Sequence, residues 1–149
     1  MSRLTWLKAA APCTLLVGLA ACSSDNTIGT TPTQNSTTIE FTGTLKSGGA
    51  ASYSFAGLAA GTVSAQLADL NPATVTDGAG NQSNVAVGLQ LGVWDGNACD
   101  GKVSNDKIVK STSVVANETA AGSLCVRIYD ATGALPAPSV DYDILVTHP

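Results

Sequence analysis

Residues 85–94, VAVGLQLGVW, contain the clearest pattern in the chain. Every second position from Val85 to Val93 is apolar, and the residues between them are small or polar. A period of two residues is typical of a strand that buries one face. This stretch therefore predicts a β-strand with its valine and leucine side chains in a core.

The same alternation recurs along residues 39–149. Gly-, Asn-, Thr- and Pro-rich segments separate the strands, including an expected long loop at 69–84 and an acidic loop at 95–106. A short helix at 73–78 is disfavoured by its Gly and Thr. The pattern predicts an all-β, antiparallel fold of about eight short strands; it favours a two-sheet sandwich, with a barrel as the alternative. The predicted strands lie near residues 39–45, 53–55, 63–67, 85–93, 108–115, 124–129 and 140–146.

The N-terminal sequence is typical of an exported protein. Arg3 and Lys8 precede an uncharged run at residues 9–21, and small residues lead to Cys22. This layout is that of a secretory signal peptide. The run is shorter than the about 20 apolar residues that span a bilayer, so a transmembrane helix is disfavoured.

The stretch Leu19-Ala20-Ala21-Cys22 resembles the bacterial lipobox. The resemblance implies that the Cys22 thiol is diacylated, that the chain is cut before Cys22 and that the new amine is acylated. An ordinary signal peptide with an accidental cysteine is the alternative. Two or more acyl chains anchor a protein stably, and Ser23 in place of Asp favours the outer membrane of a two-membrane cell. We therefore expect an extracytoplasmic, lipid-anchored protein.

Three regions follow from these patterns. Residues 1–21 are the predicted lipoprotein signal peptide. Residues 22–38 are the lipidated cysteine and a flexible tether, because this polar stretch has one large apolar residue, Ile28, and cannot bury enough surface to offset its ordering entropy. Residues 39–149 are the β-sandwich, long enough to bury a core as one domain.

The charge of the chain disfavours nucleic acid as a partner. Removing Arg3 and Lys8 with the signal peptide leaves five cations against 11 acidic residues, so the net charge moves from −4 to −6. The remaining cations are scattered, whereas nucleic-acid binding requires clustered Lys and Arg.

Two of the four cysteines remain as a pair after processing. Cys13 leaves with the signal peptide and Cys22 is lipidated, which leaves Cys99 and Cys125. An oxidising compartment favours a disulfide between them, with two buried free thiols as the alternative. Closing this loop stabilises the fold by roughly 3–4 kcal/mol in the chain-entropy model.

Two groups of strands carry a resemblance to a known family. Phe41-x-Gly43-x-Leu45, Tyr53-x-Phe55 and Gly61-x-Val63-x-Ala65-x-Leu67 resemble the opening strands of bacterial pre-peptidase C-terminal (PPC) domains, and CVRIYD (125–130) with YDILVTHP (142–149) resembles the closing strands of PPC-like lipoproteins. The resemblance covers most of residues 38–149 and implies a jelly-roll-like β-sandwich that serves as a non-catalytic accessory domain; some members bind surfaces or glycans.

The residues offer little for catalysis. The one histidine, His148, is next to last, where we expect a frayed terminus that cannot hold a triad. The motifs G-x-S-x-G and H-E-x-x-H and a phosphate loop do not occur. Asp141 and Asp143 are the nearest carboxylate pair, and an exposed strand face explains them more simply than a glycosidase site. We expect no catalytic residues, no enzyme activity and no cofactor.

The segment DGNACDG, residues 95–101, is the one acidic, glycine-rich cluster. Calcium needs six to eight oxygen ligands, and an EF-hand would place one at Cys99, so that motif is absent. A looser site at Asp95, Asn97 and Asp100 is the alternative to a solvated turn pinned by the disulfide. We favour the turn and predict no metal site.

Trp94, Arg127 and Tyr129 form a candidate ligand surface with Asp95 and Asp100. Aromatic rings with an arginine beside a rigid loop can form a binding platform; the alternative is that Trp94 covers the disulfide or packs within the sandwich. We expect a non-catalytic binding or structural module whose partner is a cell-surface glycan or protein. A glycan- or calcium-binding lectin-like module is the alternative, and a hydrolase is least favoured.

Overall fold

The computed structural model describes residues 35–133, 135 and 138–149. The predicted signal peptide, Cys22 and most of the predicted tether lie outside these residues. Among the described residues, no helix is long and apolar enough to cross a membrane. The described residues form the strands β1 Thr37–Lys46, β2 Ala50–Gly57, β3 Gly61–Asn71, β4 Thr74–Thr76, β5 Gln82–Asn84, β6 Val87–Trp94, β7 Cys99–Ile108, β8 Ser113–Glu118, β9 Gly122–Tyr129 and β10 Ser139–His148.

Eight of these strands form two four-stranded antiparallel sheets. The strand order is β1-β10-β3-β8 in the first sheet and β2-β9-β6-β7 in the second. β4 and β5 pair with each other as a two-stranded ribbon inserted between β3 and β6. Without this ribbon the order is that of a jelly roll: successive strands alternate between the sheets, except for the hairpin of β6 and β7 within the second sheet. The predicted antiparallel, jelly-roll-like sandwich is confirmed.

The core lies between the two sheets and is built from alternate strand positions. In β6, Val87, Leu89 and Leu91 are at most 2 % exposed, as the opening pattern predicts. They pack in one cluster with residues of the first sheet, such as Leu67 and Ile144. Fully burying each such side chain contributes roughly 1.5–3 kcal/mol. The positions between them point to the outer faces of the sandwich.

The prediction of an acidic loop at 95–106 is wrong for most of that range. Only residues 95–98 form a turn, and β7 then runs along the edge of the second sheet. Between its two terminal residues every position of β7 is exposed, so neither face requires apolar side chains and no period of two is visible. Two register shifts against β6 further disrupt the pattern.

Two other boundaries differ from the sequence-based expectation. The strand predicted at 108–115 is two elements, because Ile108 ends β7 and β8 begins at Ser113. The loop predicted at 69–84 contains the end of β3 and the β4–β5 ribbon. β1 begins at Thr37, two residues before the expected start of the first strand.

The connections between strands gather at the two ends of the sandwich. At one end, Thr37 pairs with His148, Gly57 with Gly122 and Trp94 with Cys99, so the turns at 58–60, 95–98 and 119–121 lie together there. We call this the Thr37 end. The turns at 47–49 and 109–112, the β4–β5 ribbon and the segment after β9 lie at the opposite end, which we call the Asp130 end.

Candidate contact surface on the second sheet

On the outer face of the second sheet, several of the residues next to β9 are small. Across β2, β9 and β6, Tyr129 lies between Ala50 and Gly88 in register, and Arg127 lies between Ser52 and Gln90. The long side chains of Arg127 and Tyr129 therefore have short side chains beside them on β2. On β6, Tyr129 has Gly88 beside it, which carries no side chain.

Tyr129 is fixed in place by three neighbours, and we call Arg127, Tyr129 and Asp106 the Tyr129 cluster. Its ring lies so close over Gly88 that a Cβ at Gly88 would overlap the ring carbons. Its hydroxyl donates a hydrogen bond to Asp106 Oδ1, and the Arg127 guanidinium carbon lies 5.6 Å from the ring centroid. Desolvation, followed by the contact with Asp106, raises the pKa of Tyr129. The Tyr129 side chain is thus neutral, and its ring is an aromatic surface whose position is fixed.

Cys99 and Cys125 form a disulfide, with an S–S length of 2.03 Å and a Cα–Cα distance of 5.7 Å. The bridge joins β7 to β9, although β6 lies between them in the sheet. The start of β7 therefore folds across the outer face of β6. Gly92 makes this possible, because a Cβ there would collide with the backbone carbonyl of Asp100.

Trp94 lies in register opposite Cys99, so it shares the outer face with the disulfide, and it is half-buried. In the turn that follows, Asp95 Oδ1 accepts hydrogen bonds from the backbone N–H groups of Ala98 at 2.6 Å and Asn97 at 2.8 Å. The Ala98 bond and then the Asn97 bond lower the pKa of Asp95. Asp100 forms an exposed ion pair with Lys102 at 2.5 Å.

The acidic turn thus satisfies its carboxylates with its own donors, as a solvated turn beside a disulfide would. Within residues 35–133, 135 and 138–149, no three or more His, Cys, Asp or Glu side chains are grouped so as to hold a metal ion. The same part of the chain contains no pocket.

Trp94, Arg127 and Tyr129 share the outer face of the second sheet but lie at opposite ends of it, whereas Asp100 is in register with Val93 on the other face. Trp94 is six residues from Gly88 along β6, which corresponds to about 20 Å of strand. Trp94, Asp95 and Asp100 are therefore at the Thr37 end, whereas Tyr129 is towards the Asp130 end. The structure does not bring them together as one site.

His148 is ordered, and the expectation of a frayed terminus is wrong. It is 3 % exposed, its ring centroid lies 5.3 Å from that of Phe55, and its Nδ1 lies 3.0 Å from the Pro149 carbonyl oxygen. Pairing with Thr37 and packing on the core hold it in β10.

Asp141 and Asp143 lie on the outer face of the first sheet, with Asp141 accepting a hydrogen bond from Thr44 Oγ1 at 2.7 Å. Because side chains alternate along a strand, these carboxylates and His148 face opposite sides of it.

Asp130 has a structural role that the sequence analysis missed. Its carboxylate accepts hydrogen bonds of 2.8–3.1 Å from the backbone N–H groups of Gly48, Thr132, Gly133 and Leu135 and from the Thr132 hydroxyl. Desolvation would raise the pKa of Asp130, but the bonds from Gly48 and Thr132 outweigh it and lower the pKa to about 2. The signal was present as Asp-x-Thr-Gly after a strand, the pattern of an Asx turn.

Chemically, the face offers a held aromatic ring, a guanidinium and a carboxylate at one end, and a tryptophan beside a bridged turn at the other. These groups are suited to contact with another molecule. Comparison with protein-family models and with curated proteins finds no match for this chain.

Proposed function

We propose that this chain is an extracytoplasmic bacterial lipoprotein, anchored through acyl groups on Cys22, whose β-sandwich is a non-catalytic binding module resembling PPC domains. In a two-membrane cell, Ser23 favours the outer membrane. The observation that carries the binding role is the Tyr129 cluster, which lies beside the small residues Ala50, Ser52 and Gly88. Loops and faces on a rigid sandwich are common positions for binding groups.

The groups in the cluster favour a glycan as the ligand. Arg127 offers a planar set of donors and Asp106 a carboxylate acceptor, while Gln90, in register beside Arg127, offers both. Sugar hydroxyls donate and accept hydrogen bonds, so they match this mixture. The Tyr129 ring adds an apolar surface whose position costs little entropy on binding, since Gly88 and Asp106 already hold it.

The lipid anchor is tested by metabolic labelling with palmitate. The full chain is expected to take up label, and Cys22→Ala is expected to lose it and to accumulate as an uncut precursor. Cys13→Ala is the matched control, because Cys13 leaves with the signal peptide, and it should label normally. A labelled Cys22→Ala protein would disprove the anchor.

The binding role is tested with the processed, lipidated chain in vesicles and with cell-envelope polysaccharide as the probe. Tyr129→Ala and Arg127→Ala are each expected to weaken binding roughly tenfold, since truncating a central contact residue costs more than about 1 kcal/mol. Thr62→Ala, on the first sheet, is the control and should bind normally. Normal binding by the Tyr129→Ala variant would remove the cluster from the binding site.

The same preparation should show no turnover of protease, esterase or glycosidase substrates. Turnover that disappears in Asp141→Asn or Asp143→Asn would contradict the non-catalytic proposal and identify a hydrolase instead.

A further inference from the structure

We propose that the Thr37 end of the sandwich rests on the lipid surface to which the chain is anchored, with Leu58, Val93 and Trp94 as its lipid-contacting residues. We call these three residues the apolar rim. The inference depends on the proposed anchor at Cys22 and adds a second, non-covalent contact with the membrane.

Two residues of the apolar rim, Leu58 and Val93, are exposed although they are large and apolar. Leu58 is 72 % exposed and Val93 is 38 % exposed, and Trp94 is half-buried. Of the other large apolar residues that are exposed in the described part of the chain, Val103 lies midway along β7, and Val115 is level with Thr38 but on the outer face of the first sheet. Exposed apolar side chains gathered at one place mark an interaction surface.

The strand order places the three rim residues at the same end of the second sheet, with Val93 and Trp94 on opposite faces of β6. Leu58 directly follows β2, and Val93 and Trp94 end β6; only β9 separates these two strands. Neighbouring strands are about 4.8 Å apart, so the ends of β2 and β6 lie about 10 Å apart. The N–H of Leu58 donates to the Pro149 carbonyl at 3.2 Å, which fixes the turn that presents the Leu58 side chain.

Lipid is the occupant that the length of the preceding chain favours. Cys22 precedes Thr37 by fifteen residues, and a coil of that length has an end-to-end distance of about 20 Å. A ten-residue strand such as β1 is about 33 Å long. If residues 22–36 are the tether that the sequence predicts, its average reach is shorter than the sandwich, so an anchor at Cys22 would favour the Thr37 end over the Asp130 end beside the membrane.

The chemistry of the rim agrees with a neutral lipid interface. Tryptophan is enriched where hydrocarbon meets headgroups, because its ring is apolar and its N–H is polar. The nearby Asp95 and Asp100 carboxylates, the latter paired with Lys102, give the rim no excess of positive charge. Contact should therefore be stronger on zwitterionic than on anionic vesicles.

Trp94 provides its own reporter. The sequence has two tryptophans, and Trp6 lies within the predicted signal peptide. The processed, lipidated chain is placed in phosphatidylcholine vesicles with or without bromine on the acyl chains. Because interfacial groups lie about 5–10 Å into the boundary region, bromine is expected to lower Trp94 emission roughly twofold. Adding anionic lipid is expected to reduce this quenching.

Moving the reporter maps the contact. In a Trp94→Phe background, tryptophan is introduced by Leu58→Trp or, as the control, by Ala79→Trp, since Ala79 is exposed between β4 and β5 at the Asp130 end. Leu58→Trp should be quenched and Ala79→Trp should not. Equal quenching of both, or of neither, would contradict contact through the Thr37 end.

Flotation with the vesicles separates this inference from the proposed anchor. Protein that floats with vesicles but shows no quenching of Trp94 keeps its anchor and overturns the membrane contact. Protein that takes up no palmitate and does not float overturns both.

Discussion

The hydroxyls of Tyr53 and Tyr142 join the two sheets by one hydrogen bond of 2.6 Å. Tyr53 also donates to the Thr42 carbonyl at 3.2 Å, so in this pair Tyr142 is the donor to Tyr53. Tyr142 is 4 % exposed, and its burial, followed by the contact with Tyr53, raises its pKa. Beneath it, Gly43 leaves room for the Tyr142 ring.

This arrangement predicts unequal effects of two similar substitutions. Tyr53→Phe leaves the buried Tyr142 hydroxyl without a partner and should lower the free energy of unfolding by about 1–3 kcal/mol. Tyr142→Phe leaves Tyr53 its bond to Thr42 and should cost only about 0.5–1.5 kcal/mol. Urea unfolding of both variants measures the difference. Equal losses, or a larger loss for Tyr142→Phe, would contradict this assignment of donors.

Asp130 predicts a stability effect that depends on pH. Its pKa is about 2 in the folded protein and 3.8 in the reference state, so its contribution is full above about pH 4 and is lost as the pH falls towards 2. Asp130→Ala should lower the free energy of unfolding by roughly 1–3 kcal/mol at neutral pH. The loss relative to the wild type should shrink between pH 4 and pH 2, as measured by thermal unfolding.

Asp77 provides the control for Asp130. It also accepts hydrogen bonds from backbone N–H groups, but only from Ala79 and Asn81 within its own exposed turn. Asp77→Ala should therefore cost less than Asp130→Ala, which loses a connection between the turn after β1 and the segment after β9. A larger loss at Asp77 would show that local turn formation, rather than this connection, is what matters.

Single residues were predictable from sequence only where a chemical rule restricts them. Cys99 and Cys125 were paired correctly because processing and lipidation are expected to remove the other two cysteines. The Asx turn at Asp130 is visible locally, but its bond to Gly48 and the Tyr53–Tyr142 pair depend on which strands become neighbours, and that is not visible in a local pattern. His148 was misplaced for the same reason, since its partner in register, Thr37, lies at the far end of the domain sequence.

At the scale of elements, β7 is a strand that the sequence pattern did not predict. The strands β6, β9 and β10 were predicted because one face of each is buried. β7 has a neighbour on one side only and is exposed between its ends. Its polar sequence is consistent with protection of an exposed edge, where Lys102 and Asp106 and the two register shifts discourage pairing with another chain.

The crossing of β7 over β6 predicts that Gly92 is irreplaceable. In Gly92→Ala the new methyl would overlap the Asp100 carbonyl, a backbone atom that cannot turn aside. We expect a loss of about 1–3 kcal/mol or more, as for other overpacked sites. Gly122→Ala is the control, because a Cβ at Gly122 meets nothing within 4 Å. Wild-type thermal stability of Gly92→Ala would mean that β7 does not cross there.

At the scale of the whole molecule, the disulfide holds the edge strand β7 to the second sheet. The cysteines are 26 residues apart, and closing such a loop contributes roughly 3–4 kcal/mol in the chain-entropy model. Replacing both cysteines by serine should lower the unfolding free energy by about 2–5 kcal/mol. Mass spectrometry of non-reduced peptides checks the bridge itself, and two alkylatable thiols in the native protein would refute it.

The pairing of β1 with β10 also determines when the protein can fold. Thr38 and Thr147, whose hydroxyls are hydrogen-bonded at 3.0 Å, are 109 residues apart in sequence, so the first sheet closes only after nearly the whole domain is available. Sandwiches dominated by such distant contacts fold in milliseconds to seconds, roughly, because the chain loses loop entropy before it gains contacts. A chain delivered N-terminus first therefore stays open until its last strand arrives, a property that the proposed export would use. Refolding that is complete within the dead time of a stopped-flow instrument would contradict this.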